Sequence, residues 1–171
     1  MENLYLFFVL ALGFLAIADL IVGVSNDAVN FLSSAIGSKA VSFKKIMIIA
    51  SFGIALGAIF SSGMMEVARK GIFNPELYYF DEIMIIFLAV MITDILLLDF
   101  FNTLGLPTST TVSIVFELLG AAVSIAAYKI WENSQSINEL ITYINYSKAT
   151  QIILGIICLL YTSDAADDSL R

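Results

Sequence analysis

The stretch Asn26-Asp27-Ala28-Val29-Asn30 places amide and carboxyl groups directly after a hydrophobic run that covers residues 4–24. Polar and ionisable groups inside a membrane helix are energetically expensive, so they usually mark the pathway of an ion or a substrate. Asn26 and Asn30 are four residues apart and share one face of a helix, and Asp27 lies beside that face. Their oxygens suit a cation, and their amide N–H groups suit an anion.

The residues before this stretch predict an interruption of the helix. Gly23 and Ser25 favour a break or a bend just ahead of Asn26. The alternative is an ordinary helix start at the membrane boundary, with Ser25, Asn26 or Asp27 as the N-cap.

The composition of the 171-residue chain indicates a membrane protein. Hydrophobic residues make up 60% of it, charged residues 13%, and the mean hydropathy is +0.94. Soluble domains carry about 25% charged residues. No basic cluster indicates a nucleic-acid partner. The absence of histidine and the single cysteine, Cys158, argue against a zinc or haem site and a disulfide framework, so we expect no cofactor and no metal.

Four apolar segments are long enough to cross a bilayer, at about 20 residues each. They cover residues 4–24, 46–64, 83–101 and 107–131, and all are apolar on every side, as in lipid-embedded helices. We therefore predict an all-α, polytopic transmembrane bundle with broken or re-entrant helices. The connection from 132 to 148 is polar, and the sequence leaves open whether it forms a surface helix or a loop.

A second polar interruption reads Gly105-Leu106-Pro107-Thr108-Ser109-Thr110-Thr111. Gly105 and Pro107 stop one helix, and we expect the next helix to begin with the hydroxyl residues. A half-helix N-terminus at membrane depth presents unpaired N–H groups and a partial positive charge, which suit oxyanions such as phosphate or sulfate. The alternative is an ordinary loop followed by a helix start.

Acidic residues in or beside the apolar spans have no lysine or arginine among them. They are Asp19, Asp27, Asp94, Asp99 and Glu117. Ionised carboxylates in a low dielectric need cations or protons, so we expect a coupling ion, Na⁺ or H⁺, that also lets an anion approach Asp27. For the other four acids, a structural role is an equally good interpretation.

The loops and the C-terminus suggest an orientation and an incomplete chain. Lys39, Lys44 and Lys45 predict a cytoplasmic loop and an outside N-terminus, in a multi-pass protein of the cell (inner) membrane. Residues 149–160 begin a span that is too short. Residues 161–171 resemble a translated sequencing adapter, so we expect residues 1–160 to be a transmembrane repeat, cut short, and the tail to be non-native.

These residues resemble the inorganic phosphate transporter (PiT) family. That family carries Gly-Ala-Asn-Asp-x-Ala-Asn near its first helix, and Asn26, Asp27 and Asn30 match it, whereas the Gly and both Ala positions differ. Its Pro-x-Ser-Thr-Thr-His segment corresponds to residues 107–112, where Val112 replaces the histidine.

The resemblance implies an inverted-repeat transporter, of which this chain is the N-terminal half, lacking the C-terminal repeat. It implies cation-coupled symport of inorganic phosphate. Asp27, Asn26, Asn30 and Thr110 are expected to bind the cation, and Thr108, Ser109, Thr110, Thr111 and Asn26 the phosphate. The implied partners are phosphate, sodium or protons, the lipid bilayer and a possible second copy of the chain. No catalytic residues and no enzyme activity are expected.

Three alternatives remain at this point. The substrate could be sulfate or another oxyanion, because these motifs do not separate it from phosphate. The polar interruptions could be structural, in a membrane assembly subunit that transports nothing. A half-size transporter could also pair with itself in opposite orientations, although the lysine loop argues against this arrangement.

Overall fold

The computed structural model describes residues 2–60, 71–106, 108–134 and 136–168, and this part of the chain is all-helical. Its six α-helices are α1 (Glu2–Ser38), α2 (Phe43–Ile59), α3 (Phe80–Leu104), α4 (Thr110–Glu132), α5 (Leu140–Tyr143) and α6 (Tyr146–Asp168). Two short 3₁₀ turns, Pro75–Leu77 and Ile137–Glu139, lie in the connections. The all-α prediction is therefore confirmed.

Helix α1 runs without interruption through the first polar stretch, over 37 residues. The break predicted ahead of Asn26 is therefore wrong. Polar residues can stay in a continuous helix when their side chains find hydrogen-bond partners of their own. Ser25 does so locally, because its hydroxyl donates to the carbonyl oxygen of Ile21 at 2.8 Å. The partners of Asn26 lie on another helix, as described below.

Three helices of the described chain are long and apolar enough to cross a membrane. They are Leu4–Ala28 within α1, α3 with 25 residues and α4 with 23 residues. The predicted span 107–131 corresponds to α4. The second interruption thus separates two full-length helices, and the expectation that only a half-helix begins here is wrong, because the apolar run continues to Ile130. The predicted span 46–64 corresponds to α2, which has 17 residues. Residues 61–64 of that span lie outside the described residues.

Helices α1 and α3 pack side by side in the same direction. The rings of Tyr5 and Phe80 meet edge to face at 5.4 Å near their beginnings, and the amides of Asn26 and Asn102 meet at 3.0 Å near the far end. Helix α4 returns antiparallel to α3. Its small residues Ala122 and Ala126 are fully buried, which lets the helices approach closely.

The start of α3 and the end of α4 are held together by Lys129. Its ammonium donates to the carboxylate of Glu82 at 2.8 Å and to the carbonyl oxygen of Leu77 at 2.9 Å. It also lies 4.7 Å from the ring centroid of Tyr79, within cation–π range. Lys129 is only 9% exposed, so these contacts compensate a charge that burial would otherwise disfavour.

The polar connections fold onto this same end. Phe73 and Ile144 form an isolated antiparallel bridge, and the backbone N–H of Asn74 donates to the carbonyl oxygen of Tyr143 at 3.0 Å. The hydroxyl of Tyr78 donates to the carbonyl oxygen of Ala122 at 3.1 Å. Burial raises the pKa of Tyr78, with a smaller effect of the nearby Glu82 charge, so this phenol keeps its proton. Within the predicted connection, Ile137–Glu139 and Leu140–Tyr143 thus form short helices that pack on the bundle.

Candidate functional site

The amides of the first polar stretch lie on one face of α1, as their spacing predicts. The side-chain nitrogen of Asn30 donates to the side-chain oxygen of Asn26 at 3.0 Å. Their environments differ, since Asn26 is 2% exposed and Asn30 is exposed. Asp27 is partly buried beside them. Of the three side chains, Asn26 is therefore the least accessible to a ligand in this conformation.

The second stretch forms the turn between α3 and α4. Gly105 ends α3 in the left-handed conformation, with φ at +67°, where a side chain would be strained. The backbone N–H of Leu106 donates to the carbonyl oxygen of Phe101 at 3.0 Å. Ser109 then caps α4, because its hydroxyl accepts from the N–H of Val112 at 3.4 Å. Helix α4 begins at Thr110, two residues after the start expected from the sequence. Pro107 lies outside the described residues.

The two stretches, 80 residues apart in sequence, meet in space at this turn. The side-chain nitrogen of Asn30 donates to the carbonyl oxygen of Thr108 at 2.9 Å. The hydroxyl of Thr110 lies 3.5 Å from a carboxylate oxygen of Asp27, at the outer limit of a hydrogen bond. Asp27 consequently faces the N-terminus of α4, whose first N–H groups have no partners within the helix.

The remaining predicted residues are near the turn without bonding to the first stretch in the described structure. Ser109 and Thr111 are exposed, and Ser109 serves as the helix cap. An open cleft of about 530 Å³ is lined by Thr108 and Ser109 together with Val112, the residue at the position of the family histidine. Ser113 and Glu117 line the same cleft further along α4.

Asn102 is a site residue that sequence reasoning missed. It accepts a hydrogen bond from the side-chain nitrogen of Asn26 at 3.0 Å, and its own nitrogen donates to the carbonyl oxygen of Val22 at 3.3 Å. The available signal was an amide near the end of an apolar run, three residues before Gly105. That signal is weak without knowledge that α1 and α3 pack in parallel.

A second group of polar residues lies in the middle of the bundle. The carboxyl groups of Asp19 on α1 and Asp94 on α3 are in contact, and Asp94 is 2% exposed. The hydroxyl of Ser113 on α4 lies 2.9 Å from Asp94 and 2.7 Å from Glu117. A hydroxyl has one hydrogen, so Ser113 cannot fully satisfy both carboxyl groups.

This cluster of carboxyl groups separates the four acids for which the sequence analysis left a structural role open, and Asp27 lies apart from it. Asp19, Asp94 and Glu117 gather, whereas Asp99 is exposed on α3 and Asp27 lies at the turn. One oxygen each of Asp19 and Glu117 is buried with no hydrogen-bond partner among the described residues. Within the described chain, no group of three His, Cys, Asp or Glu side chains has an arrangement that could hold a metal ion.

Comparison with known proteins identifies the family of this chain. The model of the phosphate transporter family matches residues 23–165. A protein of Thermococcus kodakarensis named as a phosphate permease is 31% identical over 134 residues, 77% of this chain and 30% of that protein. A sodium-dependent phosphate transporter of Plasmodium falciparum is 35% identical over 118 residues, 66% of this chain and 18% of that protein.

A protein of Helicobacter pylori named as a phosphate permease is 35% identical over 104 residues, 60% of this chain and 20% of that protein. The chain thus spans less than a third of the length of these relatives. No solved structure matches it. The family match covers both polar stretches, the end of the first candidate spanning helix from residue 23, and the other two spanning helices completely. It confirms the resemblance drawn from the sequence. This chain is a multi-pass membrane protein that belongs to the phosphate transporter family.

Proposed function

We propose that this chain supplies one repeat of a cation-coupled symporter for inorganic phosphate in the cell membrane. The observation that carries the proposal is the meeting of Asp27 with Thr110 at the N-terminus of α4. A helix N-terminus attracts an oxyanion, whereas the neighbouring carboxylate repels it. A cation between them removes the repulsion, so phosphate and cation bind better together than either does alone.

The roles of the site residues follow from accessibility. Asp27 and Asn30 provide oxygens for the cation, and the hydroxyls of Thr110 and Thr111 lie at the end of α4 that faces the anion. Thr108 contributes through its backbone carbonyl, which Asn30 already holds. Ser109 orders the first turn of α4 as its cap. Asn26 acts on the site through Asn30, because it is buried.

The coupling ion is sodium or a proton, and each has a supporting observation. The relative from Plasmodium falciparum is named sodium-dependent. Asp19, Asp94 and Glu117 gather between the helices, and carboxyl groups inside membrane bundles can relay protons, which supports protons as the alternative. The much greater length of the relatives supports a site completed by a second repeat or by another copy of the chain.

The test is uptake of radiolabelled phosphate into proteoliposomes by the complete gene product. The sodium gradient and the pH gradient are varied separately, and unlabelled sulfate serves as a competitor. We expect Asp27→Asn to abolish gradient-driven uptake while membrane insertion is kept. Asp81→Asn is the matched control, because Asp81 is exposed at the opposite end of α3.

Normal gradient-driven uptake in Asp27→Asn would exclude the role of this carboxylate. Stronger inhibition by sulfate than by unlabelled phosphate would indicate that sulfate is the preferred substrate. If the complete wild-type protein moves neither anion under any gradient, an assembly role is the better interpretation. In that case Asp27→Asn should alter stability or partner binding instead.

A further inference from the structure

Asn102 joins the site to the backbone of α1 through two hydrogen bonds of opposite sense. Its side-chain nitrogen donates to the carbonyl oxygen of Val22 at 3.3 Å, and its side-chain oxygen accepts from Asn26 at 3.0 Å. Asn26 then accepts from Asn30 at 3.0 Å, and Asn30 donates also to the carbonyl oxygen of Thr108 at 2.9 Å. Three amides thus form a directed chain between two backbone carbonyls.

The direction of this chain is set by the groups at its ends. A backbone carbonyl only accepts, so Asn102 must turn its nitrogen towards Val22 and its oxygen towards Asn26. Asn26 must therefore present its nitrogen to Asn102 and its oxygen to Asn30. Thr108 at the other end also requires the nitrogen of Asn30. Both ends agree, so the hydrogen-bond network itself fixes the orientations of the three amides.

The direction decides which oxygen remains for a ligand. Because the nitrogen of Asn30 points to Asn26 and Thr108, its carbonyl oxygen faces away from the chain. Asn30 is exposed, and Asp27 lies three residues before it on α1. Without Asn102, the amide of Asn26 could rotate and present its nitrogen to Asn30. The carbonyl oxygen of Thr108 alone would then hold the nitrogen of Asn30, so the orientation of this outer amide would be less firmly fixed.

We propose that Asn102 is a positioning residue that orients the Asn26–Asn30 pair, so that the carbonyl oxygen of Asn30 joins Asp27 as a ligand of the coupling cation. The inference rests on the proposed function and refines its cation site. It gives a role to a residue of α3 that lies outside both polar stretches. It also explains why a fully buried asparagine, Asn26, lies in the middle of an accessible site.

The test measures phosphate uptake by the complete protein as a function of the coupling cation, for Asn102→Leu, Asn102→Thr and Thr103→Val. Leucine keeps the branching at Cγ but its side chain makes no hydrogen bonds, whereas threonine can both donate to Val22 and accept from Asn26. Thr103 is the exposed neighbour at the same depth and is the control. We expect the half-saturating cation concentration to rise about tenfold in Asn102→Leu, the size of one lost hydrogen bond. The rise should be smaller in Asn102→Thr and absent in the control, with similar maximal rates.

Two results would overturn the proposal. One is a wild-type cation dependence in Asn102→Leu. The other is a loss of maximal rate or folded protein with the half-saturating concentration unchanged, which a merely structural role would produce. A wild-type protein without cation-dependent uptake would instead refute the proposed function, and the cation assignment with it.

The contact between Asn26 and Asn102 can also be tested without a transport assay. Thermal unfolding of Asn26→Leu, Asn102→Leu and the double variant forms a cycle for residues in contact. We expect the Tm shifts of the single variants to add up to clearly more than that of the double variant. Additive shifts would show that the two amides do not depend on each other, which contradicts the directed chain.

Discussion

Asp27 and Thr110 face each other at a distance that is long for a hydrogen bond. Their oxygens are 3.5 Å apart, so the threonine hydroxyl does little to compensate a carboxylate that is partly buried. The first N–H groups of α4 offer positive partial charge in the same place. A cation could therefore bind the carboxylate, and an anion could bind the N–H groups.

At the residue scale we predict that the hydroxyl of Thr110 matters more than its shape. Thr110→Val keeps the branched side chain and loses the contact with Asp27, and we expect the phosphate uptake rate to fall about tenfold. Thr110→Ser keeps the hydroxyl and should stay within about threefold of the wild type. Initial uptake rates in proteoliposomes at fixed gradients distinguish them. Equal rates in both variants would refute a role for the hydroxyl.

At the scale of elements, the α3–α4 hairpin has a different function at each end. The turn from Gly105 to Ser109 carries the site, while the opposite end is closed by Lys129, Glu82 and the surrounding tyrosines. The side chains of Lys129 and Glu82 are 11% and 17% exposed, so water screens this ion pair weakly. The pair is therefore expected to stabilise the hairpin more than a surface ion pair does.

We predict that Lys129→Met lowers the stability of the complete protein by about 2 kcal/mol, because it leaves Glu82 and the Leu77 carbonyl without their partner. The double variant with Glu82→Gln should recover part of this loss, since no buried charge then remains unpaired. Lys148→Met, at an exposed lysine, is the control. Thermal unfolding in detergent measures all of them. A change in phosphate KM in Lys129→Met would contradict the separation of the two ends.

At the scale of the whole molecule, parallel packing of α1 and α3 places the site at one end of the spanning helices. Helix α1 continues past Asn30 to Ser38, towards the loop with Lys39 and the first turn of α2 with Lys44. The site and the basic loop therefore lie at the same end. Many large apolar side chains of α1 and α2 remain uncovered, Phe14 and Ile59 among them, as expected for helices that contact lipid or further protein.

The arrangement predicts opposite accessibility of the two ends of α4. In a Cys158→Ser background, Ser109→Cys should react with an impermeant maleimide from the cytoplasmic side, because the lysine loop favours that side. Glu132→Cys should react from outside only. Labelling of right-side-out and inside-out vesicles that contain the complete protein measures both. Reaction of both cysteines from the same side would contradict the assignment of α4 as a spanning helix.

Much of the fold and part of the site could be predicted from local sequence alone. The length and composition of the apolar runs predicted an all-α membrane protein, and three of the predicted spans correspond to α1, α3 and α4. The spacing of Asn26 and Asn30 predicted a shared helix face, which their 3.0 Å hydrogen bond confirms. Gly105 marked the end of one helix, and the hydroxyl residues after it marked the start of the next, which begins at Thr110.

Only the tertiary structure decided which polar groups share a place. The sequence suggested a break before Asn26, yet α1 is continuous, because the partner of this amide is Asn102, 76 residues away on α3. It also could not separate Asp99, which is exposed on α3, from Asp19, Asp94 and Glu117 in the bundle. Helix formation depends on residues within about a turn of each other, so the sequence shows it directly. A buried polar group depends on whichever helix packs against it, and that choice is made by the whole molecule.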